Sequence, residues 1–373
     1  MNATGWNEQM DRARRDCITE DECHLDDFRR AVERTTDLAK YPFASKVASN
    51  VLIYEGDDIR AAAAQPDTRK SLFAEWVAAM LDGPGILVVK NVFPALATVD
   101  AATHHFRAMI EEQHAANSNA GDHFAKPGAN DRIWNALEKL CLRDPIVFAR
   151  YYANAVIALV SEAWLGPCYQ ITSAINVVNP GGEAQLPRRD YHMGFLTADL
   201  LAYFPAHAHR LSPVLTLQGA IAHCDMPVES GPTLYLPFSQ AYGLGYFAWR
   251  KPEFAEYFER HRIQLPLAKG DAVFSNPALF HAAGSNRTRD IKRMANLLQI
   301  SSAYGRAMES VDRARMSATL YPALRALSDS GELDSQGCAN AVAPAPKDTH
   351  SPPTSTATRR SAASRRRPKR SSC

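Results

Sequence analysis

Three short stretches of this chain hold the side chains best suited to chemistry. Arg188-Arg189-Asp190-Tyr191-His192 sets a carboxylate beside an imidazole. His281 follows 91 residues after Asp190, in Phe280-His281-Ala282-Ala283-Gly284-Ser285-Asn286, and the basic pair Lys292 and Arg293 stands 11 and 12 residues beyond it. Two imidazoles and a carboxylate on one face of an iron(II) ion leave three coordination positions open, two for a chelating keto acid and one for oxygen. Asp190 and His281 suit ligands drawn from two separate segments. A planar guanidinium grips the far carboxylate of such an acid through two parallel hydrogen bonds. Lys292 and Arg293 face opposite sides of any strand containing both. Guanidinium geometry favours Arg293 as the anchor, with Lys292 the fallback.

Arg188 complicates the ligand set, because a guanidinium stays protonated and has no lone pair for a metal. Residues two apart in an extended segment face the same side, so Arg188, Asp190 and His192 are expected to project together. Three arrangements follow. His192 supplies the third protein ligand from the other flank of Asp190; or Asp190 and His281 hold a weaker site completed by water; or Arg188 pairs with Asp190 and fills the metal cavity with a salt bridge. Plainer roles compete with these: His192 facing substrate, Asp190 as a cap or turn carboxylate, His281 as a structural histidine.

On these residues the chain resembles the phytanoyl-CoA dioxygenase family of iron(II)/2-oxoglutarate oxygenases, over roughly residues 70 to 305. In that family a His-x-Asp motif supplies two ligands, a distal histidine the third, and an arginine shortly beyond it binds the cosubstrate. Asp190 matches the motif's carboxylate, His281 the distal ligand, and Glu229-Ser230-Gly231-Pro232-Thr233 the turn between them. Arg188 departs from the pattern, standing where the first histidine belongs. The resemblance implies an α+β, mainly β fold: a double-stranded β-helix (jelly-roll, cupin-like) core with helices packed on one side. It also implies Fe(II) and 2-oxoglutarate as cofactors, O2 as co-reactant, and hydroxylation of an aliphatic carbon in a small-molecule substrate. Substrate identity does not follow, since one fold serves unrelated molecules. The alternative, raised by Arg188, is a catalytically impaired pseudoenzyme acting as a binding protein.

The elements that must position these groups are read from periodicity. Residues 67–81 have helical spacing and stop at Asp82-Gly83-Pro84-Gly85, and 86–92 reads as a buried strand. Helices are expected at 99–113 and 145–164. After Gly166-Pro167 the pattern changes to short β runs at 169–178, 214–222, 233–236, 271–274 and 294–300. On the first run Thr172 and Asn176 share a face. Asn176 is a candidate to bind a cosubstrate carboxylate if that polar face turns inward; an outward polar face is the competing reading. Helices on an antiparallel sandwich or barrel fit this order. The expected organisation is a partly helical extension at 1–66, one domain at 67–339 and a disordered basic tail at 340–373.

The bulk composition sets outer limits. With 373 residues, 46% of them hydrophobic, the chain can bury a substantial core. No apolar run approaches the roughly 20 residues of a membrane span, and the first residues lack a signal-peptide stretch, so no membrane partner and a cytoplasmic location are expected. Seven scattered cysteines without a C-x-x-C argue for free thiols over a zinc site or disulfide framework. Net charge is +2, yet seven Lys and Arg residues crowd into 359–370. That tail can touch nucleic acid by charge alone; the mildly acidic remainder suits a small-molecule partner. Neither a Gly-rich phosphate loop nor a Gly-x-Ser-x-Gly elbow is present. His207 and His209 alternate like strand residues with no carboxylate near them in sequence. The 122–128 loop offers His123 and Lys126 as pocket residues, and His223 reads as a satisfied core histidine.

Overall fold

The computed structural model describes residues 18–116 and 128–344. Within them, short β-branched runs form eleven strands: β1 Lys46–Ala48, β2 Val51–Glu55, β3 Ile86–Lys90, β4 Asn130–Ile133, β5 Gln170–Val178, β6 Thr216–Ala222, β7 Leu234–Leu236, β8 Ile263–Gln264, β9 Ala272–Ser275, β10 Phe280–Ala282 and β11 Arg293–Ser301. Eight make one sheet in the order β1-β2-β3-β9-β6-β11-β5-β4, and three make a second in the order β10-β7-β8. Every pairing is antiparallel except β2 with β3.

Strand alternation gives the larger sheet two working faces. One face packs under helices, where Leu87, Ile175, Ile221 and Phe274 meet Trp76 and Phe106. The other looks toward the small sheet, where Val88 and Val273 join Leu279 and Met226. This is an α+β fold, but its helices are not confined to one side: Phe28 and Phe254, both helical, pack on Leu234 and Phe280 of the small sheet, and the inter-sheet space is left for a site.

Local capping explains the helices on the outer face. Pro66 opens the Pro66–Leu81 helix, where its fixed φ and missing N–H cost nothing. The apolar stretch at 145–164 is two helices and not one. Pro145–Tyr152 is capped by Asp144, whose side chain accepts from the amides of Ile146 and Val147 at 3.1 and 2.9 Å. Asn154 caps Ala155–Leu165 in the same way, accepting from Val156 and Ile157 at 3.0 and 3.2 Å, and the chain bends by 60° between them. No single helix among the described residues is long and apolar enough to cross a membrane.

Both ends of the folded body lie beyond the expected boundaries. β1 and β2 extend the large sheet, and Phe28, in the Leu25–Val32 helix, packs edge-on to Tyr242 and Phe254. Residues before 67 are therefore part of the core packing. At the other end the Ser335–Val342 helix runs through Asn340, whose side-chain amide donates to the Ala153 carbonyl at 3.2 Å. The basic stretch 359–370 and the candidates His123 and Lys126 lie outside the described residues. His207 and His209 sit on a short helix, Ala206–Leu211, and not on a strand; His209 is buried with Nε2 3.1 Å from the Leu201 carbonyl. The five cysteines among the described residues are free.

Candidate functional site

A single antiparallel bridge assembles the site. The Arg188 amide donates to the His281 carbonyl at 2.9 Å, and the His281 amide returns the bond at 3.1 Å, so the segment before Asp190 runs beside β10. Arg188 and Asp190 share a face, as extended alternation requires. Arg188 Nε lies 3.2 Å from Asp190 Oδ1. The other oxygen, Oδ2, is 3.1 Å from His281 Nε2 and accepts from the side-chain amide of Gln218, on β6, at 2.5 Å. His281 is buried, and its Nδ1 faces the Leu279 carbonyl at 2.9 Å, which directs Nε2 at Asp190. Burial alone would push the Asp190 carboxyl up. The neighbouring His281 and Arg188 outweigh burial and hold it well below the usual carboxylate range.

His192 does not join this cluster. Alternation stops after Asp190 because Tyr191 and His192 take positive φ values of 60° and 40°, and a 3₁₀ turn, His192–Phe195, begins there. The imidazole lies beside the backbone of Arg306 and Ser212, and burial lowers its pKa. It does not line the cavity, so the Asp-x-His ligand arrangement is not formed.

The two basic neighbours separate as their adjacency requires. Lys292 is exposed just outside β11, whereas Arg293, at its first residue, is 6% exposed and lines the cavity. Burial pushes its guanidinium down to about 10, so it stays cationic at neutral pH. One arm donates to the Gly231 carbonyl, and no carboxylate among the described residues pairs with it. Asn176, opposite Ala295 in the β5–β11 register, also lines the cavity, and its side-chain oxygen has no hydrogen-bond partner. The polar face of β5 thus turns inward there; Thr172 is spent on the Gln299 carbonyl at 3.3 Å.

The cavity holds about 160 Å³, with Asp190, His281 and Gln218 at one part of its wall and Arg293 and Asn176 at another. Sequence reasoning missed Gln218, Gln299 and Arg132, all of which line it. Gln218 and Gln299 are cross-strand partners at inward positions of β6 and β11. Their signal was an amide in phase with Arg293 on β11 and, across the ladder, on β6. Arg132 lies on β4, a strand without a hydrophobic pattern.

The ligand set that the resemblance implies for iron(II) is three protein ligands on one face. Asp190 and His281 converge, but the third position is held by a cation with no lone pair, and both oxygens of Asp190 are engaged. Among the described residues no group of three His, Cys, Asp or Glu side chains can hold a metal ion. The residues present do not fit that ligand set.

Solved structures resemble the chain in outline. The non-heme alpha ketoglutarate dependent epimerase SnoN from nogalamycin biosynthesis is 19% identical, with a TM-score of 0.43 over 64% of this chain and 82% of its own. The carbocyclase SnoK of the same biosynthesis is 21% identical, with a TM-score of 0.38 over 59% of this chain and 80% of its own. HygX from Streptomyces hygroscopicus, solved with nickel and 2-oxoglutarate bound, is 16% identical, with a TM-score of 0.39 over 60% of this chain and 85% of its own. No curated protein sequence matches. A model of the iron- and 2-oxoglutarate-dependent family to which the motif pointed matches residues 69–294, more than half of the sequence: the chain belongs to the phytanoyl-CoA dioxygenase (PhyH) family.

Proposed function

We propose that this family member binds a small organic acid of the 2-oxoglutarate type in its inter-sheet cavity, anchored by Arg293, with Arg188 closing the iron position. The observation that carries the reading is the 3.2 Å approach of Arg188 Nε to Asp190 Oδ1. Seating a divalent cation on Asp190 and His281 would bring it against that guanidinium. Like charges 4 Å apart repel by about 4 kcal/mol per unit pair at an effective dielectric near 20. A dication doubles this, and Asp190 must also surrender its existing bonds. The buried, carboxylate-free Arg293 supports an anionic ligand by the opposite logic, since a buried cation gains from an incoming counter-charge.

Strand order supports a double-stranded β-helix for the core. From β5 onward the chain visits the large sheet, the small sheet at the Arg188 bridge, the large at β6, the small at β7 and β8, the large at β9, the small at β10 and the large at β11.

A second reading keeps the family's iron chemistry, an aliphatic hydroxylase with Asp190 and His281 as its two protein ligands. His281 favours it: a metal-bound histidine commonly donates its other ring N–H to a carbonyl, as Nδ1 is placed to do toward Leu279. Anaerobic calorimetry of the full chain separates the two. Binding of 2-oxoglutarate in chelator, with no saturable Fe(II) heat, is the result expected of the first reading. One equivalent of Fe(II), lost in Asp190→Ala, would establish the second.

A further inference from the structure

We infer that Tyr191 is a specificity-determining residue whose phenol hydroxyl donates to the 2-oxo oxygen of the bound acid. The inference rests on the acid-binding reading above and assigns the contact that recognises the oxo group.

Backbone geometry singles Tyr191 out. Its φ of 60° and ψ of 149° lie at the border of a region that only glycine occupies freely, and a bulky side chain there is an outlier. The surroundings hold it in place. On the far face of the segment the buried Arg189 guanidinium donates to the Ser239 and Tyr242 carbonyls at 2.6 and 2.9 Å. The Gly194 amide donates to the Tyr191 carbonyl at 2.8 Å. Strain of this kind clusters where a side chain meets a ligand, and the strained side chain is buried in the cavity wall.

The groups around the phenol leave its proton to be given. Gln218 turns its amide NH2 to Asp190, because a carboxylate only accepts. Gln299 turns its oxygen to the Thr172 hydroxyl, 3.4 Å away, which leaves its NH2 on the other side. Both amides lie against the Tyr191 hydroxyl and favour negative charge on its oxygen, as donors do. Burial and the neighbouring Asp190 carboxylate act the other way and prevail, pushing the phenol well above its usual pKa. The hydroxyl therefore stays protonated, and an oxygen that accepts from two amides still has one O–H to donate.

The acceptor it meets is a neutral oxygen. Arg293 takes the far carboxylate, so the oxo end of the acid runs toward Asp190 and His281, and Tyr191 flanks Asp190. One small molecule fills the cavity of about 160 Å³, since roughly 150 Å³ admits a guest the size of benzene. On that end of the acid the ketone is the acceptor that the Asp190 charge does not repel.

The test is calorimetry of the full chain in chelator with 2-oxoglutarate and glutarate, which differ only in the oxo group. Wild type is expected to bind 2-oxoglutarate about fivefold or more tighter than glutarate. Tyr191→Phe should remove that preference, weakening 2-oxoglutarate by about fivefold and leaving glutarate within about twofold. A residue that only supports the wall would weaken both acids alike, and that result would overturn the inference. So would wild type that binds the two acids equally, which decides the matter even if the variant fails to fold. Urea unfolding checks the strain. Tyr191→Gly should unfold at a higher urea concentration than Tyr191→Ala, and the reverse order would remove the ground of the inference. If 2-oxoglutarate binds in chelator but Tyr191→Phe keeps the preference, only this inference fails. If 2-oxoglutarate binds only after Fe(II) is added, the acid-binding reading fails with it.

Discussion

Arg188 and Asp190 lie on one face of an extended segment, Nε to Oδ1 at 3.2 Å, in the position where the family's motif places a histidine and its carboxylate. The pair is coupled to His281 and Gln218 through the other carboxylate oxygen. Asp190→Asn removes the charge that these groups share. A hydrogen bond to a charged group contributes about 1.5–3 kcal/mol, so the variant should lose about 2 kcal/mol in urea unfolding. In a double-mutant cycle with Arg188→Gln the two losses should be less than additive; strict additivity would show that the pair is not coupled.

A buried histidine makes stability depend on pH. Thr103 Oγ1 donates to the Val99 carbonyl at 2.7 Å, so it accepts from His223 Nδ1–H, also at 2.7 Å. Nε2 then accepts from the Tyr151 hydroxyl at 2.8 Å. The neutral ring is fully satisfied, and burial pushes its pKa down to about 3 from 6.5. Between those values the unfolded chain binds a proton that the folded chain refuses. Stability is therefore complete above about pH 6.5 and falls as pH falls toward 3. From pH 7 to pH 5 the loss from this group should approach about 2 kcal/mol. His223→Gln should flatten that part of the profile; an unchanged slope would assign the acid sensitivity to other groups.

Gly231 links backbone geometry to Arg293, the proposed anchor. It has φ +75°, and a Cβ there would collide with the carbonyls of Ser285 and Gly284. Its own carbonyl accepts from Arg293. Gly231→Ala should cost about 2 kcal/mol of stability by thermal or urea unfolding. It should also weaken 2-oxoglutarate binding, because the anchor moves with the turn. Destabilisation with unaltered affinity would uncouple the turn from the guanidinium.

His192→Ala and Lys292→Ala should leave 2-oxoglutarate affinity within about twofold, or about 0.4 kcal/mol. One imidazole lies in the turn beside Ser212, and the ammonium stands outside the cavity. A loss matching that of Arg293→Gln would place either residue at the ligand.

Much of this site was legible because its parts obey short-range rules. Period-two alternation put Arg188 with Asp190 and separated Lys292 from Arg293, and apolar runs located β3, β5, β6 and β11. His192 was misplaced because alternation presumes an extended chain, and two residues at positive φ end it after Asp190. β8, only two residues long, carries too few side chains for a pattern to register. β2 takes its identity from pairing with β3, and β1 from pairing with β2, contacts that local sequence does not encode. Asn154, set within an apolar run, was a readable cap signal, and it divides what looked like one helix.

Iron retention on exchanging Arg188 for histidine tests the closure of the metal position most directly. Full-length wild type and Arg188→His would be equilibrated anaerobically with Fe(II) and 2-oxoglutarate, desalted and analysed for iron per chain. Wild type should retain far less than one equivalent and Arg188→His close to one. Wild type that keeps a full equivalent, with no gain on substitution, would contradict the account.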